Sequence, residues 1–192
     1  MNKLEEALKD IQDFLHTQNI PYMVIGGIGN LVWGEPRLTV DIDITVYISN
    51  AQEQDFIKEA GSRFKILVEN PEDFVRKTRV LPIEIVKGVK GDIIMAGLDY
   101  EKTAIERAIE VEISKNTRVR VCTAEDLIIH KVISEREKDW QDVEGILLRR
   151  SDQLDKNYIL NWLSQFASAL DKPGIQNRFE KLWKEIVESE KK

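Results

Sequence analysis

The chain has 192 residues, with 28 Lys plus Arg against 34 Asp plus Glu and a formal net charge of −6, which argues against broad, non-specific binding to nucleic acid. Hydrophobic residues make up 42%, so whole-chain disorder is excluded, and the length fits one domain or one with a helical appendage. The single cysteine, Cys122, excludes an internal disulfide and points to a reducing compartment, cytoplasm by default; the longest apolar runs fall far short of the roughly 20 residues a bilayer helix needs, so no membrane is expected.

Met1 to Asp13 is acidic and amphipathic with no apolar stretch behind a basic start, unlike a signal peptide. Leu4, Leu8, Ile11 and Leu15 recur at helical spacing and predict an amphipathic helix ending near Asn19. Tyr22 to Ile25 reads as a short buried strand closed by a Gly26-Gly27 turn, and Ile28 to Trp33 as a short helix. From Val40 the period becomes two: Val40, Ile42, Ile44, Val46 and Ile48 alternate with Asp41, Asp43, Thr45 and Tyr47, a strand with one apolar face. Asn70 before Pro71, Glu72 and Asp73 predicts an N-capped helix to about Lys77. Val80 to Val86, closed by Lys87-Gly88, predicts another strand, and Pro82 puts it at an edge or makes this the strand's beginning.

Leu98 to Ile109 reads as helix, and Val111 to Ile113 with Val119 to Val121 as a hairpin around Asn116. Thr123-Ala-Glu-Asp126 is a capping-box variant that opens a helix. Residues 141–150, 157–170 and 175–189 continue as helices, with Asp171 to Gly174 between the last two and a frayed charged end from Glu188 to Lys192. The expected fold class is α+β. A mixed sheet flanked by helices occupies residues 1–122, and a C-terminal helical region, residues 123–192, packs on it.

Asp41 and Asp43 share the polar face of their strand, where side chains two apart project about 6.5 to 7 Å from each other. Such a pair suits a hard cation such as Mg²⁺, and two ions roughly 4 Å apart would clamp an in-line phosphoryl displacement. The plainer alternative is the solvent face of an edge strand, although Asp is a residue strands avoid. Upstream, the strand, Gly26-Gly27 and helix sequence favours an anion, because glycine frees the backbone amides and the helix N-terminus adds partial positive charge.

Ile25-Gly26-Gly27, then thirteen residues, then Asp41-Ile42-Asp43 resembles the hG[G/S]…Dh[D/E]h signature of the DNA polymerase β superfamily of nucleotidyltransferases. The fuller string from Ile25 to Gly29 and from Gly34-Glu-Pro-Arg37-Leu-Thr39 to Asp43 is most like the AbiEii-type and minimal bacterial members. The resemblance implies a nucleotidyltransferase-like fold in which Asp41 and Asp43 are catalytic ligands of Mg²⁺ or Mn²⁺. Glu84, in Leu81-Pro-Ile-Glu-Ile-Val86, is by the same resemblance the third carboxylate, completing metal binding or drawing a proton from an acceptor hydroxyl. Gly26 and Gly27 would bind nucleotide phosphate, while Arg37 and Thr39 would touch phosphate or stabilise the turn. Glu125 to Lys131 with Lys138 to Asp142 resembles a later helical motif, in which Lys131 contacts phosphate and Asp139 and Asp142 orient it or cap a helix. Gly27 departs from the Ser of many relatives, and Glu84 from the commoner Asp.

Other signals are weaker. His16 and His130 are too far apart for a metal site or triad, and neither a dinucleotide fingerprint nor a GxxxxGK[ST] loop is present. Trp140, Trp162, Phe166, Phe179 and Trp183 read as packing anchors, and Cys122 as an inert core residue. Arg76, Lys77, Arg79, Lys87, Lys90, Arg118 and Arg120 hint at a basic surface. The expected function is metal-dependent transfer of a nucleoside monophosphate from a nucleoside triphosphate to an acceptor hydroxyl, on a protein, a tRNA or a small molecule, with release of pyrophosphate. The alternative is a non-catalytic nucleotide-binding or protein-interaction module, such as a toxin–antitoxin component.

Overall fold

The computed structural model describes residues 2–114 and 117–188; the turn expected at Asn116 and the frayed end beyond Glu188 lie outside them. Internal contacts divide the chain into two units, residues 1–28 with 38–122 and residues 29–37 with 123–192. The first is built on a sheet and the second on helices.

In the sheet unit, α1 (Lys3–Thr17) opens with reciprocal bonds: Asn2 Oδ1 accepts the Glu5 N–H, and the Glu5 carboxylate accepts the Asn2 N–H. Its apolar face, Ala7, Leu8, Ile11 and Leu15, is buried. β1 (Tyr22–Val24) leads into α2 (Gly26–Trp33), and β2 (Asp41–Val46) follows. Next come α3 (Glu53–Arg63), β3 (Lys65–Ile66), α4 (Pro71–Thr78), β4 (Val80–Val86), β5 (Val89–Met95), α5 (Asp99–Arg107), β6 (Ile109–Ser114) and β7 (Thr117–Val121). The strands form one mixed seven-stranded sheet in the order β3-β4-β5-β2-β1-β7-β6. The parallel neighbours are β5 with β2 and β1 with β7.

One face of this sheet is the core. Ile42, Ile44, Ile93, Leu81 and Ile83 are fully buried, and α1 packs against β4, β5 and β7. Each such side chain contributes roughly 1.5 to 3 kcal/mol by leaving water. The alternate residues of β2 and β5 face the other way, which is how the acidic positions come to share a surface.

Several local outcomes differ from the sequence reading. Three elements were not anticipated, α3, β3 and β5. In β5, Gly91 and Asp92 interrupt what is otherwise an alternating apolar pattern, and both residue types are depleted in strands. Asn70 precedes α4 without a side-chain cap bond, leaving Pro71 and the acids of the first turn as the start signal. Pro82 sits in mid-strand, tolerated because β4 has only the two-residue β3 outside it and Pro82 needs to offer only its carbonyl, which accepts the Leu67 N–H.

The helical unit contains most of α2, the segment through Arg37, and α6 (Ala124–Ser134), α7 (Glu137–Arg150), α8 (Lys156–Ala169), α9 (Gly174–Trp183) and a π-helical turn at Lys184–Glu188. Thr123 caps α6 by accepting the Asp126 N–H, but the Asp126 carboxylate accepts the Thr123 and Tyr158 hydroxyls, tying α6 to α8. Leu127, Val143, Ile146, Leu163 and Phe179 form its apolar centre. Among the described residues, no helix is long and apolar enough to cross a membrane.

Candidate active site

Strand register assembles the carboxylates. Asp41 pairs with Lys90 and Asp43 with Asp92 across the parallel β2–β5 ladder. Paired residues present their side chains on the same face, about 4.8 Å apart across the strands, and alternate residues repeat that face along each strand. Asp41, Asp43 and Asp92 therefore stand together. Asp92 was not singled out in the sequence. The two-residue Lys87-Gly88 connection, with Gly88 at φ +88°, is the signal that could have found it: a hairpin there returns the chain antiparallel to β4 and puts Asp92 opposite Pro82.

The electrostatics of this face show at Asp92. Partial burial pushes the Asp92 carboxyl above its ordinary value, the like charge of Asp41 adds to that, and Lys90 opposes both. Glu84 lies on the same face but farther off, opposite Lys90 and thus two strands from Asp41. Its carboxylate accepts the Gly88 N–H at 2.9 Å and pairs with Lys65 at 3.8 Å. The Gly88 bond, which outweighs desolvation, together with the charges of Lys65, Lys90 and Lys87, holds Glu84 below its usual range.

The glycine turn meets these acids directly. Ile25 N–H donates to the Asp43 carbonyl at 2.9 Å, and Gly26 takes the left-handed φ of +61° that begins α2. A β-carbon on Gly26 would stand 1.8 Å from Asp43 Oδ2, and one on Gly27 would stand 2.3 Å from Thr39 Oγ1. Only glycine leaves room for the carboxylate and the hydroxyl at the head of the helix. The Thr39 hydroxyl also donates to the Asp41 carbonyl at 3.2 Å.

Arg37 and Lys131 belong to a different cluster, inside the helical unit. The Lys131 ammonium, on a residue only 5% exposed, contacts Asp139 at 2.8 Å and Asp142 at 2.6 Å. Arg37 forks onto Asp142 with two bonds of 2.9 Å, and Ser134 and Arg136 donate to Asp139. Burial pushes both carboxyls up, but the hydrogen bonds from Lys131, Ser134 and Arg136 to Asp139, and from Arg37 and Lys131 to Asp142, outweigh it and leave both below the ordinary value. Where the sequence suggested that Lys131 reaches phosphate, the structure commits its charge to two aspartates.

The donor set at the sheet suits a divalent ion. Asp41, Asp43 and Asp92 are all hard oxygen ligands, and a cation would offset the burial and, after it, the like charge of Asp41 that raise Asp92. Among the described residues no three or more metal-binding side chains converge into a ready-made cage, so the fit is to an ion that takes one or two carboxylates and completes its shell with phosphate and water.

Residues 2–191 match the DUF6036 family, described as a nucleotidyltransferase of unknown function. No curated protein matches the chain. Among solved structures, the antigenic nucleotidyltransferase-like protein from Paracoccidioides brasiliensis is similar over 91% of this chain and 92% of its own, at 14% identity and a TM-score of 0.54. ANT(2″)-Ia in complex with adenylyl-2″-tobramycin is similar over 88% of this chain and 99% of its own, at 14% identity and a TM-score of 0.58. The lincosamide antibiotic adenylyltransferase LnuA, with lincomycin bound, covers 74% of this chain and 95% of its own, at 19% identity and a TM-score of 0.51. These likenesses establish the fold, a mixed α+β nucleotidyltransferase-type sheet flanked by helices.

Proposed function

The chain belongs to the DUF6036 family of nucleotidyltransferases, and on that premise we propose that it moves a nucleoside monophosphate from a nucleoside triphosphate to an acceptor hydroxyl, releasing pyrophosphate. One observation carries this reading: the Gly26-Gly27 turn opens α2 against Asp43, with Asp92 on the neighbouring strand. Asp41 and Asp43 would hold Mg²⁺ or Mn²⁺, with Asp92 on the next strand beside them, and the ion would supply charge neutralisation at the phosphates and the leaving group.

The chain's own residues account for the rest. Glycine at 26 and 27 lets the Asp43 carboxylate and the Thr39 hydroxyl sit at the head of α2, where the helix end would offset the negative charge of a triphosphate brought to the ion. The Thr39 hydroxyl lies over Gly27 and is held there by its bond to the Asp41 carbonyl. As the acceptor oxygen bonds to the α-phosphorus, the bond to the bridging oxygen breaks and pyrophosphate departs. We assign to Asp92 the third-carboxylate role that the sequence suggested for Glu84, because it is one strand from Asp43 whereas Glu84 is held by Gly88 and Lys65. Arg37 and Lys131 support the helical unit through Asp139 and Asp142. Catalysis is then chiefly positioning and charge placement.

The string Gly34-Glu-Pro-Arg37-Leu-Thr39 supports placing the chain nearest the AbiEii-type, minimal form of the superfamily. In the relatives that carry an antibiotic name the acceptor is a small molecule, which favours that class here over tRNA. The test is Asp43→Asn, with transfer from labelled triphosphate, Mg²⁺-dependent nucleotide binding by calorimetry and thermal unfolding all measured. We expect no transfer, weakened Mg²⁺-dependent binding and unfolding like that of the parent. Undiminished transfer would refute the assignment. Mg²⁺-dependent binding by the parent with no turnover on any acceptor would favour instead a non-catalytic nucleotide-binding module of the toxin–antitoxin kind.

A further inference from the structure

Toward β4 the carboxylate face of the sheet becomes a basic one. Along β2 the face is closed beyond Asp43 by the fully buried Thr45, and toward β1 the Gly26-Gly27 turn stands against Asp43. In the other direction register carries it across β5, β4 and β3: Asp41 is opposite Lys90, Lys90 opposite Glu84, and Glu84 opposite Lys65. At about 4.8 Å per strand, this row extends roughly 14 Å from Asp41. Two residues along, Pro82 lies opposite Asp92 and gives the same face an uncharged spot beside the acids.

Three lysines share one glutamate there. Lys65, Lys87 and Lys90 are exposed, and the charges of all three act on Glu84. The Glu84 carboxylate is held first by the Gly88 N–H at 2.9 Å, and its contact with Lys65, at 3.8 Å with that lysine 73% exposed, is a weak surface pair. The Lys3 ammonium adds a fourth positive charge, donating to the Lys87 carbonyl at 3.2 Å. Lys90 also faces Asp41 and acts on Asp92, but Asp41 and Asp43 are the carboxylates a divalent ion would take. With such an ion in place, the row from Lys90 to Lys65 keeps an excess of positive charge beside the reacting centre. A phosphomonoester, at about −1.5 to −2 near neutral pH, matches that excess. A nucleic acid would need a longer run of cations than this row offers, on a chain whose net charge is −6.

We propose that this row holds the acceptor and that the acceptor is a small hydroxyl compound bearing a phosphomonoester. The proposal rests on the nucleotidyltransferase reading. The phosphate lies among Lys65, Lys87 and Lys90, the body of the compound rests on Pro82, and its hydroxyl reaches the carboxylates. That hydroxyl oxygen forms a bond to the α-phosphorus, the bond from the α-phosphorus to the bridging oxygen breaks, pyrophosphate leaves with that electron pair, and the hydroxyl proton is released to solvent. Glu84 sits inside the phosphate site and opposes it, so its charge weakens the hold on the acceptor.

The experiment uses the full chain with Mg²⁺, α-labelled ATP, CTP, GTP or UTP, and three separated fractions of a cell extract: small-molecule dialysate, RNA and protein. A second portion of dialysate is treated with a phosphatase, which is filtered out before nucleotide is added. The parent should label a compound in the untreated dialysate and lose at least about tenfold of that labelling in the treated one. Lys65→Gln and Lys90→Gln both change exposed positions, so one remains usable if the other misfolds. Each should lose at least about fivefold of the labelling in dilute dialysate, regain it as the dialysate is concentrated, and keep its Mg²⁺–nucleotide affinity within about twofold. Glu84→Gln should act with the opposite sign and label more in dilute dialysate. Inorganic phosphate, followed by amide NMR, should shift the signals of Lys65, Lys87 and Lys90 before those of the exposed Lys9 and Lys58. Parent-like labelling by both folded lysine variants, loss of transfer in Glu84→Gln, or phosphate shifts spread evenly over the surface lysines would overturn the site. Label that resists the phosphatase, is confined to RNA or protein, or is absent despite nucleotide binding would overturn the acceptor class. Absence of Mg²⁺-dependent nucleotide binding in the parent is a distinct result, because it removes the nucleotidyltransferase reading and the proposal with it.

Discussion

Two sets of aspartates in this molecule are treated in opposite ways. Asp139 and Asp142, in the helical unit, are buried and surrounded by Lys131, Arg37, Arg136 and Ser134, and both end below the ordinary carboxylate value. Asp41, Asp43 and Asp92, in the sheet unit, stand on one face with Lys90 as the cation in register among them, and Asp92 ends above that value. Acids buried among Lys131, Arg37 and Arg136 are fastening a fold, whereas acids gathered on a partly exposed sheet face at the head of a helix suit a bound cation.

The sharpest way to break this contrast is to take the partner away from the first set. Lys131→Met leaves Asp139 and Asp142 buried with less compensation, and removing one member of a buried pair costs about 3 to 5 kcal/mol. Ser134, Arg136 and Arg37 retain their bonds, so the lower end of that range is expected, read as a fall in the urea midpoint. A loss under about 1 kcal/mol, the scale of an exposed ion pair, would mean that the network is not a fastening.

A smaller effect is expected at the glycine turn. Gly26→Ala puts a side chain at φ +61°, which costs roughly 1 to 2 kcal/mol, and drives it into the Asp43 carboxylate. Mg²⁺-dependent nucleotide binding should weaken along with stability, because Asp43 must move. Normal binding in a folded Gly26→Ala protein would separate the turn from the acids.

Acid should act on the two sets with opposite sign. Asp139 and Asp142 have lowered values in the folded state, so their stabilisation is present above the ordinary Asp value of about 3.9 and disappears as pH falls through their folded values. Thermal unfolding below about pH 4 should therefore show a steep loss in the parent that is shallower in Asp142→Asn. Parallel curves would place the acid sensitivity elsewhere.

How much of this was legible in the sequence follows from the range of each interaction. Asp41 and Asp43 were visible because a period of two is written in five consecutive apolar positions, of which all but Val40 are buried or shielded on the core side. Asp92 was hidden by its own neighbourhood: Gly91 packs close to Ile42 and Ile85 on the core face, and a Gly-Asp pair reads as a loop until the Lys87-Gly88 hairpin is given its geometric consequence. The fork of Arg37 on Asp142 joins residues 105 apart, and nothing local announces it. Lys131 looked like a phosphate ligand for the same reason, since a cation near two acids has the same sequence whether it faces a ligand or the acids themselves. α3 was missed because its buried stripe is short, with Phe56, Ile57 and Ala60 set among charged residues.

The smallest expected effect is also the most discriminating. Asp92→Asn removes a carboxylate whose folded value is raised, so above its ordinary value the charged form costs the folded state stability, and that cost disappears as pH falls and the group takes up its proton. The variant should therefore unfold at a slightly higher temperature than the parent at neutral pH, and the gap should close below about pH 4. Added Mg²⁺ should raise the parent's unfolding temperature more than the variant's, since an ion bound by the folded state alone stabilises it by mass action. An Asp92→Asn protein that is less stable at neutral pH, or that gains as much from Mg²⁺ as the parent, would put Asp92 with the fastening acids and end the contrast between the two units.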